Sequence, residues 1–133
     1  MSTTKPQRPL SPFMLGTHYR FQLTSVTSFL HRVTGIVLGL GAFGFVLWLH
    51  AVAGDGVLYG YFRDALASTP GCIALYAFAA ALIYHLLNGI RHMVWDAGWW
   101  LELKPAYRSG WTVLVLTVIL TALLAVAGRG GVA

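Results

Sequence analysis

Hydrophobic positions in this chain do not alternate with polar ones; they run on. Residues 33–53, 72–90 and 111–128 contain no Asp, Glu, Lys or Arg. Each stretch approaches the roughly 20 apolar residues that a helix needs to cross about 30 Å of hydrocarbon. The pattern predicts an all-α integral membrane protein with three transmembrane helices. Its expected segments are a polar tail and interfacial stretch at 1–25, a first span at 26–53 and an outer loop at 54–71. A second span follows at 72–95, then a loop at 96–110, a third span at 111–128 and a short tail at 129–133. The first span begins ahead of its uncharged core and carries Ser28, His31 and Arg32 into the membrane edge. Pro6, Pro9 and Pro12 prevent a continuous helix before it.

Composition sharpens this picture. Of the 133 residues 57% are hydrophobic and only 10% charged, where soluble domains carry about 25% charged residues. A soluble globule and a disordered chain are both excluded. The net charge of +5 could point to nucleic acid, but its distribution does not. Lys5, Arg8, Arg20, Arg32, Lys104 and Arg108 fall on one side of an alternating topology, and Arg63 and Arg129 on the other. That bias places the N-terminus in the cytoplasm and the C-terminus outside. Ala51-Val52-Ala53 resembles a signal-peptidase site, yet the long segment ahead of it and the length of the core favour a retained span. A single cysteine, Cys72, rules out an internal disulfide and a cysteine-ligated iron–sulfur cluster.

Three local patterns need a physical reading. Gly39-Leu40-Gly41-Ala42-Phe43-Gly44 matches a dinucleotide fingerprint, but that motif works only between a strand and a helix. Gly35 and Gly39, one turn apart, instead predict a groove where a helix or flat ligand packs closely. The outer loop, with Tyr59, Tyr61 and Phe62, predicts an interfacial helix ending at Pro70-Gly71. Trp95, Trp99, Trp100 and Tyr107 predict an aromatic belt at the inner interface. In the third span, Thr112, Thr117 and Thr121 are expected to bond back to their own helix.

Chemistry concentrates in the second span. At about 100° per residue, His85, Gly89, His92 and Asp96 share one narrow stripe. Burying such groups in a membrane is costly, which marks the stripe as functional. Counting from Cys72, His85 lies about 20 Å into the bilayer, roughly 10 Å from the inner edge. His31 and Arg32 reach that same edge from the first span. An imidazole ligating iron, with glycine one turn away to admit a macrocycle, is what a haem requires. Arg32, with His31, His92 or Arg91, is placed to pair with its anionic carboxylates. The plainer reading of His85 is a hydrogen bond to a neighbouring helix. His85 and His92 lie about 10.5 Å apart along one face, so they cannot be opposed ligands of one iron. Ser28 and Arg32, also one turn apart, could hold a quinone carbonyl or a lipid headgroup; a structural serine beside a topology-setting arginine is the plainer alternative.

These residues also carry a resemblance. Arg8-Pro9-Leu10-Ser11-Pro12, the pattern S-x-x-H-R-x-T-G from Ser28 to Gly35, and H-x-x-N-G-I-R-H-x-x-W-D from His85 to Asp96 resemble the cytochrome b subunit of succinate dehydrogenase. That subunit is the larger membrane anchor of respiratory complex II, and the likeness covers essentially the whole chain. It implies that His85 is an axial ligand of one haem b, shared with a histidine of a smaller anchor subunit with which this chain forms a helical bundle. It also implies that Ser28 and Arg32 bind ubiquinone, together with a tyrosine of the smaller anchor and a tryptophan of the iron–sulfur subunit. His31, Arg32 and His92 match positions near the haem propionates, and Gly89 lines the pocket. Residues 13–19 depart from the usual wording, which leaves the ligand set intact. FAD and iron–sulfur clusters belong to the flavoprotein and iron–sulfur partners, so this chain holds no succinate-oxidising site of its own. Nucleic acid is not an expected partner.

Two rivals are a purely structural anchor, whose histidines only join helices, and a proton-handling transporter using His85 and Asp96. The second lacks acidic partners in spans one and three. Without an Arg- and Ser-rich leader of transit type, a bacterial inner membrane is expected in preference to a mitochondrial one.

Overall fold

The computed structural model describes residues 21–54 and 56–130, with the side chains of 129 and 130 left aside. These residues form four helices and no strand: α1 (Leu23–Ala53), α2 (Val57–Ala67), α3 (Thr69–Asp96) and α4 (Leu103–Gly130). α1, α3 and α4 are long and apolar enough to cross a membrane. The 28 residues of α3 span about 42 Å at 1.5 Å per residue. That exceeds the hydrocarbon thickness, so the helix ends reach the headgroup layers.

Local chemistry sets each boundary. At the start of α1, Ser25 Oγ accepts from the Gln22 N–H at 3.1 Å and donates to the Gln22 carbonyl at 2.8 Å. Gly56, at φ +84°, turns the chain into α2. Ser68 both ends α2 and starts α3. Its hydroxyl donates to the Ala65 carbonyl at 2.6 Å and accepts from the Gly71 N–H at 3.2 Å. Pro70 and Gly71 therefore belong to the first turn of α3, not to the end of the outer helix as the sequence pattern predicted. Proline suits that turn because its missing N–H has no helical partner there. A Cβ on Gly71 would collide with the Ala65 carbonyl and the Leu66 backbone, so the tight α2–α3 corner depends on glycine. α3 ends in a Schellman turn: Gly98 N–H donates to Trp95 O at 2.8 Å, and Trp99 N–H to Val94 O at 3.1 Å. The loop expected at 96–110 is accordingly short, since α4 already begins at Leu103.

The packing is inverted relative to a water-soluble bundle. Among the described residues the buried apolar side chains are only Ala51, Tyr84, Ala106 and Val113, while Thr27, Asn88 and Arg91 are buried polar ones. Phe29, Ile36, Leu40, Phe43, Val118 and Val126 lie exposed. In lipid this arrangement carries no hydrophobic penalty, and interior polar contacts join the helices. α3 packs against both α1 and α4, and α2 leans on α1 and α3. Between α1 and α3 the close glycine contacts run through Gly35, against His85, and Gly41, where a Cβ would land on the Phe78 ring. Gly39 and Gly44 face open space, so the groove expected at Gly35 and Gly39 has only its first member in the α1–α3 seam.

Candidate functional site

The start of α1, the end of α3 and the start of α4 meet at one end of the bundle. Arg91 is the tie between them. Its Nε donates to Ser109 Oγ at 2.9 Å, Nη2 to the Ala106 carbonyl at 2.8 Å, and Nη1 to Thr27 Oγ1 at 3.2 Å and Asn88 Oδ1 at 3.3 Å. The guanidinium also lies 3.9 Å from the Trp95 ring centroid. Beside it the Tyr84 hydroxyl donates to the Thr27 carbonyl at 2.7 Å. Arg91 is only 5% exposed and has no carboxylate partner among the described residues. A buried cation is tolerated there because neutral oxygens and an aromatic face take up its donors. The sequence reading that offered Arg91 to an anionic ligand is corrected by this geometry, which turns its guanidinium into the junction with α4.

Across the α1–α3 seam stands a histidine cluster. The rings of His31 and His85 are stacked, 3.9 Å between centroids and 10° between planes. His92 lies 5.3 Å from His31 at a tilt of 55° and meets the Trp95 ring edge-on at 5.2 Å. His85 Nδ1 sits 3.2 Å from both the His31 carbonyl and Thr34 Oγ1. A carbonyl oxygen can only accept, so the ring proton of His85 belongs on Nδ1. The Thr34 hydroxyl donates to the Leu30 carbonyl at 2.8 Å, which leaves its lone pair to receive the same proton. Nε2 is then the bare nitrogen, and it makes no hydrogen bond to another described residue. Fixing one imidazole nitrogen through a carbonyl so that the other can coordinate is the usual arrangement at metal sites. A Cβ at Gly35 would stand 3.2 Å from His85 Cε1, so glycine there lets the ring approach α1.

Ser28 and Arg32 complete the α1 side. Ser28 is half-buried and Arg32 exposed, and neither bonds another described side chain. Helical periodicity turns both away from the face on which Thr27 meets Arg91 of α3. On α3, Gly89 lies on the corresponding side of His85, and a Cβ on it would be 3.9 Å from His31 Cε1. Among the described residues neither Ser28 nor Arg32 hydrogen-bonds the histidines, while Gly89 borders His31. Asp96 ends the stripe exposed, without an ion pair among the described residues. Among the described residues two buried side-chain polar atoms lack a partner, His31 Nδ1 and Trp95 Nε1. No trio of His, Cys, Asp or Glu is grouped as a metal site among the described residues.

Thr27, Tyr84, Asn88 and Ser109 escaped the sequence reading. The signal for them was present: Thr27 and Arg91 stand at the same depth by residue count, and Asn88 is one turn from Arg91. Trp95, expected in an interfacial belt, is half-buried between Arg91 and His92, whereas Trp99 and Trp100 are exposed. The hydroxyls of Thr112, Thr117 and Thr121 donate to the carbonyls one turn back, at 2.9, 2.8 and 2.7 Å. The departure at 13–19 lies outside the described residues.

Comparison with known proteins addresses the whole chain. Residues 4–124 match the family model described as succinate dehydrogenase/fumarate reductase transmembrane subunit. A succinate dehydrogenase cytochrome b556 subunit of Rickettsia prowazekii is 38% identical over 121 residues, covering 89% of this chain and 90% of the relative. The corresponding Rickettsia conorii subunit is 38% identical over 131 residues, 93% of this chain and 98% of its own length. A mitochondrial succinate dehydrogenase cytochrome b560 subunit of Homo sapiens is 40% identical over 114 residues, 84% of this chain and 66% of the relative. On this match, and on its three membrane-length helices, the chain belongs to the succinate dehydrogenase/fumarate reductase transmembrane subunit family, as a cytochrome b-type membrane anchor of that complex.

Proposed function

We propose that this anchor ligates haem b through His85 Nε2 and forms, with Ser28 and Arg32, one wall of a site where ubiquinone is reduced. Electrons reach that site from succinate through the iron–sulfur subunit. The observation that carries the reading is the state of His85. Its Nδ1 proton is held by the His31 carbonyl and Thr34 hydroxyl, and its Nε2 has no partner among the described residues. The residues fit a haem: glycine at 89 leaves room for a flat ring, and Arg32, His31 and His92 supply donors for its carboxylates. Bound there, haem b would supply one-electron chemistry at its iron, with a smaller anchor subunit contributing the other protein ligand.

Ser28 and Arg32 act on the quinone directly. A hydroxyl and a guanidinium with no hydrogen-bond partner among the described residues donate to its carbonyl oxygens, where negative charge develops as electrons arrive. The basic residues near this end support a cytoplasmic orientation for it. The Rickettsia relatives favour a bacterial inner membrane for the complex. Flavoprotein, iron–sulfur and smaller anchor subunits complete the assembly, and FAD and the clusters reside on them.

A second reading has its own observation. The bond from His85 to the His31 carbonyl joins α3 to α1, which a purely structural anchor would also need. Reduced-minus-oxidised spectra of the purified complex separate the two. His85→Ala abolishes or strongly shifts the b-type absorption bands if His85 is a ligand. An assembled His85→Ala complex with the wild-type haem spectrum leaves only the structural role.

A further inference from the structure

Arg91 and Asn88 do more than join helices. Asn88 Oδ1 is 3.3 Å from Arg91 Nη1, and Asn88 Nδ2 is 3.4 Å from His92 Nε2. Arginine has donors only, so the amide oxygen must face it and the amide N–H₂ must face the histidine. His92 Nε2 is then an acceptor, which puts the ring proton on Nδ1. Nothing among the described residues reverses this order, because Asn88 is fully buried and Arg91 is held by Ser109, Thr27 and the Ala106 carbonyl. Turning the amide over would set its N–H₂ against a guanidinium. His92 Nδ1 itself bonds no other described residue.

We infer that Arg91, acting through Asn88, is a positioning residue that fixes His92 as an Nδ1–H donor toward a carboxylate or carbonyl oxygen of the group bound beside His31. This rests on the haem reading above and deepens it, since it names which proton of the pocket is offered and what holds it there. The adjacent positions 91 and 92 divide the work: one buried guanidinium orients the neighbouring half-buried imidazole.

The test uses the assembled complex and reads the haem midpoint potential beside haem content. Asn88→Leu keeps similar volume and removes the relay. Haem content stays at the wild-type level, and the potential shifts downward because a donor to an anionic oxygen is lost. His92→Leu shifts it the same way. The double variant shifts no further than His92→Leu alone, since the two residues act as one unit. Arg91→Lys keeps the charge but cannot reach four acceptors at once; it gives a smaller downward shift that also disappears in the His92→Leu background, and it decides the matter if Asn88→Leu fails to assemble. An unchanged potential in these haem-loaded variants, or shifts that simply add, overturns the inference. A wild-type complex without haem bands overturns the haem reading instead, so the two failures are distinguishable.

Discussion

Two polar clusters lie at the same end of this bundle, and they differ in how completely their hydrogen bonds are satisfied. Around Arg91 every nitrogen of the guanidinium finds an oxygen of Ser109, Ala106, Thr27 or Asn88. Around His85 the donors and acceptors do not close. His85 Nε2, Ser28 and Arg32 have no described partner, and His31 Nδ1 and Trp95 Nε1 are buried without one. In hydrocarbon an unsatisfied polar group is expensive. A saturated cluster is therefore a tie between helices, and an unsaturated one is shaped for something that arrives later. The contrast separates architecture from chemistry within a single turn of α3, between Arg91 and His92.

The largest effect that sharpens the contrast is expected at Arg91. Arg91→Met strands buried oxygens on three helices, and losing several charged hydrogen bonds at about 1.5–3 kcal/mol each should destabilise the anchor by roughly 3 kcal/mol or more. A depressed Tm in detergent, or loss of assembled complex, checks this. A wild-type Tm would break the comparison from the architectural side. Arg32→Ala should do the reverse. Quinone reduction falls at least about tenfold, as for the loss of a charged hydrogen bond worth 1.5 kcal/mol or more, while succinate oxidation by an artificial acceptor and Tm hold. Equal loss of both activities would show that Arg32 supports assembly. The smallest effect is expected at Tyr84. Tyr84→Phe removes one bond to a Thr27 carbonyl and costs about 0.5–1.5 kcal/mol, with no change in haem spectrum or quinone kinetics.

Much of this was legible before any coordinates. Uncharged runs located all three spans, and the periodicity of His85, Gly89 and His92 brought out one face of α3. Helix ends were less legible, for a physical reason. Charge marks where lipid ends, not where hydrogen bonding ends, so Lys104 and Arg108, which stand ahead of the third apolar run, already lie inside α4. Pro70 was read as a stop when its position suits a start. Arg91 was the main misreading. On a hydropathy profile it is one more cation at a membrane edge, and only the approach of Thr27 and Ser109 from other helices reveals that it is buried. Thr34 and Gly35 stood inside a recognised motif, but their service to His85 depends on α1 and α3 being brought into contact.

Everything functional here depends on His85 Nε2 being an iron ligand. The most direct measurement is near-infrared magnetic circular dichroism of the oxidised complex carrying His85→Met, since axial ligand identity sets the electronic structure of the iron. The account predicts that the low-spin charge-transfer band moves from the position of two nitrogen ligands to that of nitrogen and thioether. A band left where the wild-type protein shows it, at full haem content, would contradict the ligand assignment.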